Sequence, residues 1–404
     1  MILLSRSGFP HDIRVEKEIS ALETAGWSAT VVTFNTGAQP HREAFGKGHT
    51  IIRIPPYVPT RFQNALFGFY PFPRQLVDTL SEIFSEENPD VVHVHDLVYA
   101  GTVLRAARGK NKPVVLDLHE NMPAAFAAYQ LKQRPGLRRL YGALIRNTLL
   151  WKHYEKRWVR EAARTLIVTE RARDRFGRQT QLVKDTIRLV GNTENLDTFP
   201  TATRVAPVDP DTPVVRLLYF GGVGPHRGLE TVLEALPALR DEPIEFIVVG
   251  LKEHQHAQYA DLVDRLGVAD KVTLRGWAGP DEVVNVLSEF EFGLVPHRNL
   301  EHTNTTIPHK LFQYMLAERP VIVSSCPPLA EVVEGSNCGY VFAADDPRDF
   351  ARVVQQALRE RDRYSTLAAN AKNAALTTWN WDHDAQRLIS TYEELVPGGS
   401  QETT

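Results

Sequence analysis

"TNTTIPHKLFQYMLAERPVIVSS", residues 303–325, decides how the chain is read. Polar residues run into Pro308, then an apolar-striped helix, then a β-branched strand. Pro308 suits the first helical position, and Leu311, Phe312, Met315 and Leu316 form one stripe that fixes the helix on a sheet. The N-terminal amides then point toward Thr303, Asn304, Thr305 and Thr306. Unpaired N–H groups and the positive end of the helix dipole attract anions there, phosphate above all, and hydroxyls add donors. Threonines before a helix also serve simply as caps. His309 and Gln313 are four apart and share a flank, so a ligand with its phosphate on the helix end can reach both.

Working outward, the second half repeats this helix-strand alternation. Strands read at 214–222, 244–250, 271–276, 290–296, 319–325 and 339–343, with helices near 228–240, 255–266, 280–289, 308–317, 346–358 and 362–376. The first half alternates likewise, with strands at 1–5, 28–34, 50–54, 90–95, 113–118, 165–169 and 187–190 and helices including 14–25, 74–86 and 98–108. Strand, crossover helix, strand is the signature of a parallel sheet covered on both faces. The fold class is therefore α/β, with two doubly wound Rossmann-like domains facing a cleft where the carboxyl ends of their sheets meet. A first domain spans 1–197, a Pro-, Thr- and Asp-rich linker 198–213, a second domain 214–378, and a crossover helix with a disordered tail 379–404.

A length of 404 residues suits two domains, and 43% hydrophobic with 24% charged residues excludes fibrous or mostly disordered classes. Two cysteines, Cys326 and Cys338, are too few for a disulfide framework or thiolate metal site. A net charge of -3 argues against nucleic acid as partner. Without a signal pattern or a long apolar run, a cytoplasmic location is expected. The basic residues of 132–160, interleaved with Leu137, Tyr141 and Trp151, read either as a solvated helix face or as a peripheral contact with anionic lipid on the inner face of the membrane, aided by "RFQNALFGFYPF" at 61–72.

Four further stretches carry candidate chemistry. In "YFGGVGPHRGLETVLEAL", 219–236, glycines let backbone approach a ligand closely, Gly222 among them, and Arg227 stands before the helix as a phosphate-binding guanidinium. "VVHVHDLV" (91–98) and "VVLDLHENMP" (114–123) place His95, Asp96, His119 and Glu120 at the ends of neighbouring parallel strands. The His93 and His95 spacing implies no third ligand, so no metal is expected. His119 at a strand end can position or exchange a proton near neutral pH. In "RSGFPHDIRVEKEISALETAGW", 6–27, Gly8, His11, Asp12 and Arg14 either line the cleft or form only a loop; the stretch lacks the GxGxxG of a dinucleotide site.

"FPHDIRVEKEISALETAGW", "PDVVHVHDL", "VLDLHEN", "YFGGVGPHRGLETVLEAL", "VTLRGWAGPDEVVNVLSEFEFGLVP" and "TTIPHKLFQYMLAERPVIVSS", in this order, resemble the retaining GT-B glycosyltransferases of family 4. The resemblance covers nearly the whole chain. It implies that the second domain holds a nucleotide-sugar donor, UDP-sugar ahead of GDP-sugar, and the first a glycan, lipid-linked or small hydroxylated acceptor. By this resemblance Arg227 grips the diphosphate, Gly276 and Trp277 border the base, Thr305 and Thr306 receive phosphate, and the residue at Gln313 holds the ribose hydroxyls. His119 contacts the donor sugar near its anomeric carbon. Transfer proceeds with retention and without metal or resident cofactor, the nucleotide sugar being a substrate, and the C-terminal helix crosses back to the first domain.

The sequence departs from the family in three places. Thr305 and Gln313 stand where members typically carry two glutamates, and Gly222 and Val223 stand where an arginine is common. Gln313 loses a charge-assisted hydrogen bond, about a kilocalorie or two. A non-catalytic or impaired nucleotide-sugar-binding partner subunit is therefore the alternative, and a nucleotide-sugar 2-epimerase a third reading.

Overall fold

The structure, a computed structural model, describes all residues except 1, 5–8, 11, 36, 38, 56–70, 132–146, 181–183, 197–198, 200–208, 279–285, 288 and 398–404. Gly8, His11, most of 61–72, the first half of the basic stretch, most of the helix expected at 280–289 and the tail thus lie outside the described residues. The chain divides into two compact units, Met1–Asn192 with Asp382–Thr404, and Thr193–Trp381.

The first unit is built on an eight-stranded sheet: β1 (Ile2–Leu4), β2 (Thr30–Phe34), β3 (Arg42–Phe45), β4 (His49–Ile54), β5 (Val92–His95), β6 (Val114–Leu118), β7 (Arg164–Ile167) and β8 (Ile187–Leu189), in the order β3-β4-β2-β1-β5-β6-β7-β8. Every neighbouring pair is parallel except β3 with β4. Val31, Val32, Val94, Val115 and Leu116 are wholly buried, as continuous apolar strands covered on both faces must be. The helix Arg74–Glu87 shows how the cover forms: Leu76, Leu80, Ile83 and Phe84 make its buried stripe.

Strand β3 has no counterpart among the strands expected from the sequence. It pairs antiparallel with β4, Arg42 opposite Ile52 and Phe45 opposite His49. Its residues are mostly exposed, so as a polar edge strand it carries no apolar run to announce it. The helices Met122–Leu131, Thr148–Glu161 and Glu170–Thr180 were also not separated by sequence pattern. Within Thr148–Glu161, Trp151, Tyr154 and Trp158 are buried in the core, and Glu155 forms a bidentate pair with Arg175, at 2.6 and 2.9 Å. These three rings of the described part of the basic stretch pack into the protein interior, while Leu149 of the same helix is 80% exposed.

The second unit holds a six-stranded parallel sheet: β9 (Val215–Phe220), β10 (Ile244–Val249), β11 (Val272–Arg275), β12 (Phe292–Val295), β13 (Val321–Ser324) and β14 (Gly339–Phe342), ordered β11-β10-β9-β12-β13-β14. The helix expected over 228–240 stops at Ala235 and tightens to a 3-10 turn over Leu236–Leu239, since Pro237 has no N–H to continue the ladder. The helix Pro327–Ser336 joins the readings the sequence did not make. Residues 193–196 belong to this unit and not to the first domain, because Glu194 bridges Asn380 and its carbonyl accepts the Trp381 N–H at 3.0 Å. Trp379 likewise stacks on Phe312, ring centroids 6.1 Å apart, so the C-terminal return begins at Asp382 rather than at 379.

Candidate active site

In the second unit the strand order reverses direction between β9 and β12, the place where ligands bind in doubly wound sheets. Strand β9 ends at Phe220, and Gly221 follows with a φ of 106° that only glycine adopts readily. The turn that follows is held by the Tyr219 hydroxyl, which donates to the Gly222 carbonyl at 2.8 Å, and by the Arg227 N–H, which donates to the Gly224 carbonyl at 3.0 Å. The half-buried guanidinium of Arg227 donates to His297 Nε2, 2.9 Å away, just beyond β12. Burial and the neighbouring Arg227 hold His297 well below the usual histidine range, so its ring is neutral and can accept.

Sequence reasoning missed Lys310. It is 8% exposed, its Nζ lies 3.7 Å from the centroid of the Tyr219 ring, and it has no hydrogen-bond partner among the described residues. A Cβ added to Gly221 would meet that ammonium at 3.3 Å, so the glycine turn and the lysine share one space. Burial, with Arg227 adding repulsion, pushes the Lys310 pKa well below that of an ordinary lysine. A buried cation without an anion is expensive unless something brings one. The signal was in the sequence: a lysine in the first turn of a helix opposes the dipole.

The helix itself spans His309–Leu316, with Pro308 as its extended cap (φ −82°, ψ 140°) and not its first helical residue. The threonine hydroxyls do not point donors at a ligand. Thr303 donates to the Leu300 carbonyl at 3.0 Å, Thr305 to Glu301 at 3.0 Å and Thr306 to His302 at 3.0 Å, closing a tight turn. Asn304 is tied to Asn299 at 2.7 Å. His309 Nε2 lies 3.1 Å from Glu194 Oε2, which takes it away from Gln313. Gln313 is half-buried, and its side-chain amide makes no hydrogen bond among the described residues. Gly222, Gly276 and Trp277 are exposed, Trp277 at 70%, and the Gly276 carbonyl accepts the Gly250 N–H at 2.9 Å.

In the first unit the order reverses between β1 and β5, and the polar residues gather beside it. Asp117, wholly buried at the end of β6, accepts Arg14 Nε at 2.7 Å and Nη2 at 2.9 Å. Its Oδ2 also lies 3.1 Å from His95 Nδ1 and 3.2 Å from His119 Nδ1. Glu18, also wholly buried, sits 3.1 Å from Arg14 Nε and 3.4 Å from His95 Nε2. His93 stacks on His95, ring centroids 4.6 Å apart, and its Nδ1 is 2.7 Å from the Tyr392 hydroxyl. His119 Nε2 faces Asp96 Oδ1 at 3.4 Å, and Asp96 adopts a left-handed φ of 67°, a strain of about 1–3 kcal/mol that well-determined sites tolerate.

The electrostatics follow from this packing. Burial disfavours charge on Asp117, but Arg14 and the two histidines outweigh it and hold the carboxyl well below its usual range. Burial works against the His119 imidazolium too, but Asp96 and Asp117 push it up to about 10. Burial raises Glu18 despite Arg14, and lowers His93 so that its ring is neutral. The fold supplies the third and fourth partners that the His93 and His95 spacing did not imply: Glu18, His93, His95 and Asp117 each place an atom within 4.8 Å of the others. The Arg14 guanidinium already lies against both carboxylates, so the charge an ion would bring is present.

Arg14 and His95, expected to touch a ligand, are therefore buried inside the unit, at 7% and 3% exposure. Asp12 caps the helix Ile13–Thr24, accepting the Val15 N–H at 3.3 Å. Glu120 is exposed.

Two family models match the chain, "Glycosyltransferase Family 4" over residues 14–197 and "Glycosyl transferases group 1" over 214–360. With two Rossmann-like parallel-sheet units, the chain belongs to the glycosyltransferases of family 4 with GT-B architecture. Among curated relatives, the alpha-D-kanosaminyltransferase of Streptomyces kanamyceticus is 23% identical over 60% of this chain and 64% of its own length. A D-inositol 3-phosphate glycosyltransferase of Thermobispora bispora is 26% identical over 45% of this chain and 43% of its own length. The chain thus spans less than two thirds of either. Among solved structures, sucrose-phosphate synthase from Thermosynechococcus elongatus superposes with a TM-score of 0.74 at 17% identity, covering 98% of each chain. Anabaena HepE in complex with UDP-glucose gives 0.70 at 15% identity, covering 97% of this chain and 99% of its own.

Proposed function

We propose that the protein transfers a glycosyl group, with retention, from a nucleoside diphosphate sugar to a hydroxyl of a glycan, lipid-linked or small acceptor. The observation that carries this is Lys310, a buried amine with no hydrogen-bond partner among the described residues, beside the glycine turn of β9 and the Arg227 guanidinium. Two cations there would neutralise the diphosphate as its charge grows in bond breaking, and electrostatic stabilisation of that kind commonly contributes more to catalysis than any other single effect. Gln313 takes the ribose hydroxyls and Trp277 with Gly276 borders the base, while His119 contacts the donor sugar. UDP is the favoured nucleotide, since HepE, a neighbour in fold, was solved with UDP and with UDP-glucose. No metal or resident cofactor enters the scheme, and the diphosphate itself assists deprotonation of the acceptor. A cytoplasmic place of action fits the described helices, none of which is long and apolar enough to cross a membrane.

Calorimetric titration of the protein with UDP and GDP tests this reading. Saturable binding of one of them, with UDP tighter, is expected; heat no greater than that of dilution for both would sink it. Gln313 in place of an acidic residue favours a second reading, a binding subunit with little turnover. Slow release of free sugar from a labelled donor separates the two, because only a catalyst produces it.

A further inference from the structure

Resting on the assignment of His119 to the donor sugar, we infer that Arg14 is a positioning residue for His119 and acts on it through the Asp117 carboxylate. Arg14 stands in the first turn of the helix Ile13–Thr24, and every nitrogen of its guanidinium is used: Nε and Nη2 fork onto Asp117, and Nη1 donates to the Gly191 carbonyl at 3.0 Å. With Nη2 donating also to the Val190 carbonyl at 3.3 Å and 7% of the residue exposed, the guanidinium is committed to the protein interior. The fork fixes the plane of the carboxylate, because two parallel N–H donors match its two oxygens in only one orientation. That carboxylate then selects Nδ1 of His119 as the edge that bears its bonded N–H, 3.2 Å away, and turns Nε2 toward Asp96.

The backbone reinforces the alignment. His95 and Asp117 are register partners on β5 and β6, and the Asp96 N–H donates to the Asp117 carbonyl at 2.9 Å. Of the network's members, Arg14, Glu18, His93, His95 and Asp117 are shut off from solvent, whereas the His119 side chain is 26% and that of Asp96 16% exposed. A buried carboxylate braced by a guanidinium thus presents one imidazole edge outward. A lysine at position 14 would keep the charge but reach a single oxygen, leaving the plane free to swing.

Steady-state kinetics on the full chain, with a UDP-sugar that the wild type turns over, test this through Arg14→Lys, His119→Ala and the double variant. Arg14→Lys is expected to lower kcat about 100-fold, the effect of a misplacement of about 1 Å, with KM for the donor changed by no more than about twofold. On the His119→Ala background the same change is expected to be silent to within about twofold. Effects that instead multiply mean that Arg14 serves the fold at large, and overturn the inference. Should Arg14→Lys fail to fold, the isosteric Asp117→Asn enters the same cycle with the same two outcomes. A readout free of turnover is the 15N spectrum of the His119 ring: its Nδ1 signal is expected to move in Arg14→Lys, and an unmoved signal overturns the inference even if no donor is ever turned over. A wild type inert toward every nucleotide sugar would sink the functional reading and leave this spectral test standing.

Discussion

At Lys310 a single side chain carries two opposed demands. Stability argues against it, since a buried amine with no hydrogen-bond partner among the described residues costs about 1–3 kcal/mol, while an anionic ligand needs it there. Lys310→Met is therefore expected to raise the urea midpoint of the unliganded protein by about 1–3 kcal/mol in free energy and to weaken UDP at least tenfold by calorimetry. The pH dependence has a definite sign. The free protein holds the lysine well below its ordinary range, and a diphosphate beside it would restore the charge, so above the free value each UDP bound takes up protons and affinity falls as pH rises. Titrations in buffers of different ionisation enthalpy read that uptake, and Lys310→Met abolishes it; equal uptake in both proteins refutes the role. Gln313, whose side-chain amide has no hydrogen bond among the described residues, offers the converse change. Gln313→Glu adds a charge-assisted bond to the ribose and is expected to tighten the donor about tenfold. Unchanged or weaker donor binding would remove Gln313 from the site.

Elements were legible where periodicity was strong, and the exceptions have physical causes. The parallel strands announced themselves as β-branched runs because both faces are buried, as with Val92 and Val94 on β5. Strand β3 did not, because an exposed antiparallel edge has no apolar face to show. The helix Glu170–Thr180 has so many charges, Arg171, Arg173, Asp174 and Arg175 among them, that its packing onto the sheet through Ala172 and Phe176 was not visible as a stripe. Among site residues, His119 could be found at a strand end, Arg227 before a helix and Arg14 as a cleft candidate, whereas the union of Arg14 with Glu18 and Asp117 comes only through the fold, and Glu18 and Asp117 look like ordinary helix and strand residues in one dimension. The turn between β9 and its helix shows how tightly an element can constrain one position. Gly228 sits at φ 69°, and a Cβ there would collide with the Pro296 carbonyl oxygen. Gly228→Ala is expected to destabilise the protein by at least about 1–3 kcal/mol from the backbone alone. A urea midpoint left where it was would show that the turn can yield.

At the scale of the whole molecule, the chain leaves its first unit at Asn192, completes the second, and returns at Asp382 to finish the first. The return is held by buried chemistry as well as by packing. Tyr392, wholly buried, gives its hydroxyl to the 2.7 Å contact with His93, stands edge-on to Trp27 with ring centroids 5.3 Å apart, and lies in the same helix as Leu388, also wholly buried. The Asp384 carboxylate occupies the space a Cβ on Gly191 would need, and the Gly191 carbonyl receives Arg14, so the C-terminal segment borders the network around Asp117. Ending the chain at Trp381 would therefore expose the His93 and His95 stack and leave a buried ring nitrogen without its partner, a cost of about 1–3 kcal/mol before lost apolar burial is counted. Hydrogen exchange on such a truncated chain is expected to show β1, β5 and β6 losing protection while β9, β10 and β12, in the other unit, keep theirs. Equal loss in both units, or none in the first, would mean that the segment does not complete the first core.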